Sequence, residues 1–153
     1  MNIDELIKIA VDSMNKAITF KSKVGAAILT KDGSVFTGFN IETRIHKGYH
    51  AEEVALISFL KAGYKRGDIK AIAIAYSFEG TYPACASCRQ YLWELGGEDM
   101  EVACYDLTNN KGSIFKLIDL YPMPYPIEQK ELLKVPELVT KKNKTSGSNI
   151  NIT

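Results

Sequence analysis

Ala71-Ile72-Ala73-Ile74-Ala75-Tyr76 is the stretch that decides the fold. It is apolar throughout, too short for an average helix and followed by turn-forming residues, so it reads as a strand buried on both faces. Upstream, Val24-Gly25-Ala26-Ala27-Ile28-Leu29 and Val35-Phe36-Thr37-Gly38 flank the turn Lys31-Asp32-Gly33-Ser34, which is the pattern of a β-hairpin. Downstream, Val102-Ala103-Cys104-Tyr105 reads as a fourth strand, and after the turn Asn109-Asn110-Lys111-Gly112 a short fifth is expected near Ile114-Phe115.

Helical periodicity fills the intervals. From Asn2 to Ile18, residues Ile7, Ala10, Val11, Met14, Ala17 and Ile18 recur at helical spacing, and Asn2 followed by Glu5 reads as a capping box. Ala51, Val54, Ala55, Ile57, Ser58, Leu60 and Lys61 predict a largely buried helix that stops near Gly63, whereas Ile41 to Tyr49 has no clear period. Cys85 to Leu95 reads as a helix closed by Gly96-Gly97. A helix, two strands, then strands alternating with helices describe an α/β domain: a mixed sheet of about five strands between helical layers, in a three-layer α/β/α arrangement without internal repeats.

Composition bounds the function. The chain has 153 residues and 17.0 kDa, with 46% hydrophobic and 24% charged residues, which suits one domain, placed at residues 1–135. Residues 136–153 form a polar tail, rich in Lys, Asn, Ser and Thr from Lys141, that is expected to be disordered. Its sequons at Asn143 and Asn151 read as chance matches. Nineteen Lys and Arg against eighteen Asp and Glu give a net charge of +1, too little to collect a polynucleotide backbone, so no nucleic-acid partner is expected. The N-terminus carries Asp4 and Glu5 where a secretory signal would carry bases, and no apolar run approaches the ~20 residues of a membrane span. A cytoplasmic protein with no membrane partner is expected. Three cysteines, an odd number, do not make a disulfide framework.

Cys85 and Cys88, three apart at a helix start, share one face. Taken alone the pair fits a redox dithiol, a metal site or two core thiols about equally. His50-Ala51-Glu52 at the entry of the preceding helix tips the balance toward metal. His50 adds a third zinc ligand and leaves a fourth position open, as catalytic zinc requires. In mid-helix, residues two apart point to nearly opposite sides, so His50 and Glu52 can share one site only if His50 stands at the half-helical first position. His46 has no such company and reads as a loop residue, Cys104 as a core residue, and Glu53 as a solvated acid favoured by the helix dipole.

At these motifs the chain resembles the zinc-dependent cytidine deaminases, whose signature is H-x-E followed by P-C-x-x-C. The resemblance runs from about Val24 to Tyr125 and includes Val24-Gly25-Ala26-Ala27, Phe36 to Glu42, His50-Ala51-Glu52 and Cys85-Ala86-Ser87-Cys88-Arg89-Gln90. It implies a cytidine deaminase-like fold, one Zn2+ per subunit on His50, Cys85 and Cys88, and Glu52 as the proton-transferring group in hydrolysis of cytidine or deoxycytidine. It further implies that Asn40 and Glu42 bind the ribose hydroxyl, that the Ala51 N–H meets the pyrimidine O2, and that the protein serves pyrimidine salvage as a homo-oligomer, a tetramer before a dimer. Tyr125 is a candidate for closing a neighbour's pocket.

Small members of the family commonly have Cys at position 50 and Arg at 53. Two thiolates here bring zinc to zero net charge, so a compensating cation is not needed. Two departures bear on substrate and loop geometry. Ser22 stands where the family has an aromatic that packs on the base, with Phe20 two residues off, and Ala84 separates Pro83 from Cys85. The alternatives are a deaminase of a modified aminopyrimidine nucleoside, as in blasticidin S deaminase, or of a nucleotide, and, from other classes, a non-catalytic zinc-stabilised binding module or a C-x-x-C redox protein.

Overall fold

The structure is a computed structural model that describes residues 1–126; the expected domain boundary at residue 135 and the polar tail lie outside the described residues. In chain order the elements are α1 (Ile3–Met14), β1 (Val24–Thr30), β2 (Val35–Phe39), β3 (Ile41–Glu42), β4 (Gly48–Tyr49), α2 (Ala51–Lys61), β5 (Ile69–Tyr76), α3 (Ala86–Tyr91), β6 (Glu101–Asp106), β7 (Lys111–Lys116) and α4 (Leu117–Leu120).

The buried strand read from Ala71–Tyr76 is the centre of a five-stranded mixed sheet of order β2-β1-β5-β6-β7. β5 pairs antiparallel with β1, placing Ile74 beside Ala26, and parallel with β6, placing Ile74 beside Cys104. The parallel pair needs a crossover, and α3 supplies it. Strand alternation then makes two cores. Ala71, Ala73 and Ala75 face α1 with Ala27, Leu29 and Ala103, whereas Ile72, Ile74 and Tyr76 face α2 and the region of Trp93 on the other side. The α/β/α layering expected from the sequence is thus present.

Helix α1 begins on its capping box. The Asn2 side chain accepts from the Glu5 N–H at 2.9 Å, and the Glu5 carboxylate accepts from the Asn2 N–H at 3.0 Å. It ends four residues before Ile18, because Ile18 is taken up by the edge of the small β3–β4 hairpin: its N–H donates to the Asn40 carbonyl and its carbonyl accepts from the Glu42 N–H. Its buried face is Leu6, Ala10, Ser13 and Met14, rotated about one position from the expected Ile7–Val11 stripe.

Three further expectations shift. In α2 the buried residues are Ala51, Glu52, Ala55, Leu56 and Phe59, while Ile57 is exposed. The Cys85–Leu95 helix divides into α3 and a wider π-helical turn at Leu92–Gly96. The fifth strand is a full six residues. Among the described residues, no helix is long and apolar enough to cross a membrane.

Candidate active site

Two helix starts build the site. On β2, Gly38 faces the first turn of α2; a Cβ there would lie 2.2 Å from the Ala51 carbonyl oxygen and 2.3 Å from the Ala55 nitrogen, so only glycine lets the helix lie this close to the sheet. His50 is the N-cap of α2 with extended backbone (φ −75°, ψ 155°). That is the half-helical position the sequence requires for His50 and Glu52 to share a site. Cys85 is the N-cap of α3 with similar backbone (φ −65°, ψ 169°), and Cys88 is buried at the third helical position.

The three side chains converge. His50 Nδ1 lies 3.3 Å from Cys88 Sγ and 3.4 Å from Cys85 Sγ. Among the described residues, His50, Cys85 and Cys88 form the group able to share a metal ion, with ligand atoms within 4.8 Å of one another. A tetrahedral zinc ion with its usual bond lengths holds nitrogen and sulfur ligands about 3.6 Å apart, so the donor set fits zinc in both chemistry and spacing. Burial, then the negative charge of Glu52, pushes the Cys88 thiol up from its ordinary value. A divalent cation is the partner that makes a thiolate favourable there.

Glu52 is only 7% exposed. Burial raises its carboxyl above the usual range, partly offset by its own backbone N–H and by His50, and the Cys88 thiol is within hydrogen-bonding reach. Glu53 is not the freely solvated acid expected from the sequence: it is half-buried, and its carboxylate accepts from the His50 N–H at 2.7 Å, fixing the backbone that carries the ligand. An acid three residues beyond an N-cap was the available signal.

The extra residue Ala84 is buried, and its carbonyl accepts from Arg89 Nε at 2.7 Å while Arg89 Nη1 donates to the Leu120 carbonyl at 3.0 Å. Arg89 therefore ties the loop before Cys85 to α3 and α4. This role was not foreseen from the sequence.

A cavity of about 860 Å3 opens above this cluster, with Ala51, Glu52 and Cys85 in its lining. Asn40 and Glu42 are on its wall. Asn40 is buried, its Oδ1 accepting from the Val24 N–H at 2.8 Å and its Nδ2 donating to the Ser22 carbonyl at 2.9 Å. It holds the 22–24 segment and retains one N–H and one lone pair. The Glu42 carboxylate accepts from the Phe20 N–H at 2.8 Å, which with the Thr19 hydroxyl holds its carboxyl below the ordinary value. The Ala51 N–H is the first of the unpaired donors at the start of α2. His46 stays outside the metal cluster, in a tight turn at φ 59° on the cavity wall. Tyr125 is exposed and away from this cavity, and Cys104 is buried in β6 as a core residue. Tyr76, Phe78 and Tyr82 also line the cavity, a contribution that sequence reasoning missed.

Residues 1–106 match the family described as the cytidine and deoxycytidylate deaminase zinc-binding region. The chain is 33% identical over 117 residues to a cytidine deaminase of Sporosarcina psychrophila, spanning 74% of this chain and 82% of that protein. It is 38% identical over 105 residues to a cytidine deaminase of Halalkalibacterium halodurans, spanning 67% and 78%. The fold matches the crystal structure of cytidine deaminase from Burkholderia pseudomallei with a TM-score of 0.77 at 35% identity, covering 82% of this chain and all of that one.

Proposed function

The chain belongs to the cytidine and deoxycytidylate deaminase family, and from that premise we propose that it is a zinc hydrolase converting free cytidine or deoxycytidine and water to the uridine nucleoside and ammonia. The observation that carries the proposal is the meeting of His50 Nδ1 and the Cys85 and Cys88 sulfurs beside the buried Glu52, on the lining of a cavity of nucleoside size.

Zinc held by His50, Cys85 and Cys88 supplies the acidity that lets water act as a nucleophile near neutral pH. Glu52 accepts the proton that the attacking water loses and delivers it to ring N3 as C4 becomes tetrahedral. It then takes the proton of the new C4 hydroxyl and passes it to the exocyclic amine, so that the C4–N bond breaks, ammonia leaves and the C4 carbonyl forms. Burial suits Glu52 to this double duty, because a carboxyl raised above its usual range gives protons back as readily as it takes them. In this reading the Ala51 N–H donates to the pyrimidine O2 and the remaining valences of Asn40 and Glu42 bind ribose hydroxyls; their position on the cavity wall supports a sugar-bearing substrate over a free base.

The protein acts in the cytoplasm, in pyrimidine salvage, and assembles as a homo-oligomer, the tetramer before the dimer. The exposed large apolar side chains of Ile57 on α2, Tyr91 on α3, Ile118 on α4 and Tyr125 are the surface that supports association. Tyr125 is then available to a neighbour's cavity. The deciding experiment is metal analysis of the purified protein together with ammonia release from cytidine. One zinc per chain with turnover supports the proposal; a zinc-loaded protein that releases ammonia from other aminopyrimidine nucleosides but not from cytidine or deoxycytidine overturns the substrate.

A further inference from the structure

The loop between β5 and α3 carries an aromatic cluster. The ring of Tyr76 stacks on Phe78 at 4.9 Å between centroids, and Tyr82 meets both rings edge-on, at 5.5 and 5.0 Å. Tyr76 is buried, whereas Tyr82 is 52% exposed and lines the cavity three residues before Cys85. The loop is fixed from beneath. The Tyr76 hydroxyl donates to the Gly80 carbonyl at 2.8 Å and accepts from the Tyr82 N–H at 3.1 Å. The Gly80 N–H donates to the carboxylate of buried Asp106 at 3.0 Å, and Asp106 is itself held by Asn109. Gly80 is at φ 124°, and a Cβ there would meet Tyr82 Cε2 at 2.6 Å, so the ring lies against the glycine. The result is an aromatic surface that is half open to the cavity yet immobilised on its other sides.

Elsewhere on the cavity wall, Ser22 offers no ring, the exposed Phe20 ring has the Arg44 guanidinium 5.8 Å from its centre, and Tyr49 is an exposed ring on the two-residue strand β4, without the buttressing that holds Tyr82. A flat heteroaromatic ring entering this cavity therefore finds its pre-organised stacking partner on the β5–α3 loop. We propose that Tyr82 is the specificity-determining residue that stacks on the nucleobase, and that Asp106, acting through Gly80, is a positioning residue for it. The inference rests on the deaminase reading above and assigns the base-stacking role to this loop instead of the Phe20–Ser22 segment.

The test uses the zinc-loaded full chain. Stacking on an aromatic side chain is worth roughly ten- to a hundredfold in affinity. Tyr82→Leu, which keeps bulk without a ring, therefore raises KM for cytidine by about that factor while kcat changes less than about threefold, and Tyr82→Phe restores it. Asp106→Ala raises KM in the same direction, and Asp106→Asn recovers part of the loss; Phe20→Ala stays within about twofold. Unchanged KM in Tyr82→Leu, or a larger rise in Phe20→Ala, overturns the inference. If the wild-type enzyme releases no ammonia from cytidine, the deaminase reading fails separately. Calorimetric titration of cytidine and uridine onto the wild type and Tyr82→Leu still decides the stacking role, with a loss of affinity in the variant supporting it and equal or absent binding overturning it.

Discussion

Replacing Gly38 by Ala tests whether the sheet sets the position of the catalytic groups. The added Cβ would stand 2.2 Å from the Ala51 oxygen, 2.3 Å from the Ala55 nitrogen and 3.0 Å from the Val54 carbonyl carbon, all backbone atoms that cannot swing aside. The strand has little room to retreat, because the Gly38 carbonyl accepts from Ser13 Oγ at 2.7 Å on α1. Relief of the clash thus falls on the first turn of α2, which moves by about 1 Å. His50 and Glu52 travel with it while Cys85 and Cys88 stay with α3. Overpacking of this kind costs about 1–3 kcal/mol, and a 1 Å misplacement at a reacting centre costs roughly a hundredfold in rate. The assay is thermal unfolding, zinc content and ammonia release on one preparation. A lower melting point, weaker zinc retention and a turnover loss of about a hundredfold per folded molecule are expected. Gly33→Ala is the control: it strains a residue at φ 93° in an open hairpin turn, where no atom lies within 4 Å of the new methyl, so it costs stability without touching turnover. A Gly38→Ala protein with wild-type zinc retention and turnover would refute the claim that this contact positions the site.

Other perturbations separate the remaining roles. Glu52→Gln retains zinc and folds at least as stably, since a buried carboxyl is exchanged for a neutral amide, but loses about a hundred- to ten-thousandfold in kcat; metal analysis beside steady-state kinetics checks both halves. Chelation lowers the melting temperature and abolishes turnover, and added zinc restores both, because an ion bound only by the native cluster shifts the folding equilibrium; a melting curve indifferent to chelator contradicts the donor set. Asp32 is held at about 2 by the Thr30 and Tyr64 hydroxyls and the Ser34 N–H, below its ordinary 3.8. A depressed carboxyl stabilises the native state above its unfolded pKa and loses that contribution as pH falls through the folded one. Acid unfolding between about pH 4 and 2 is accordingly shallower in Asp32→Asn than in the wild type, and superimposable profiles would contradict the assignment.

The sequence carried the fold where side-chain pattern and backbone demand agree. Ala71–Tyr76 has no polar position until its end, and only a central strand buries such a run. The failures have a common physical origin in tertiary competition. Ile18 continues the α1 periodicity, yet its backbone pairs with Asn40 and Glu42. Ile57 is apolar and in phase, yet the close approach of α2 to Gly38 selects Ala51, Ala55 and Phe59 for burial. At the site, the H-x-E and C-x-x-C spacings made the metal donors legible, because ligand chemistry tolerates few residue types. Arg89 and the aromatic loop were not legible, since Arg89 reaches the Leu120 carbonyl and Gly80 reaches Asp106 across long stretches of chain; Glu53 had only its spacing from the N-cap as a signal, which a solvated first-turn acid shares.

The placement of donors at helix starts has a physical logic that links fold to chemistry. An N-cap residue is extended while its successors are helical, and its side chain folds back over the N3 position. Cys85 and Cys88 occupy N-cap and N3 of α3, so their sulfurs converge by the same geometry that brings an ordinary cap to its N–H. In α2 the cap side chain is His50, turned instead toward the sulfurs, and Glu53 at N3 takes over the capping of the His50 N–H. Glu52 at N2 does not cap the His50 N–H and stands in the cavity lining, its carboxyl near its own N–H and the Cys88 thiol. The same residues in a helix interior would scatter around the axis at about 100° per residue. A change that lengthens either helix by one turn at its start, such as a better cap upstream of His50, would dismantle the site while improving local helix stability.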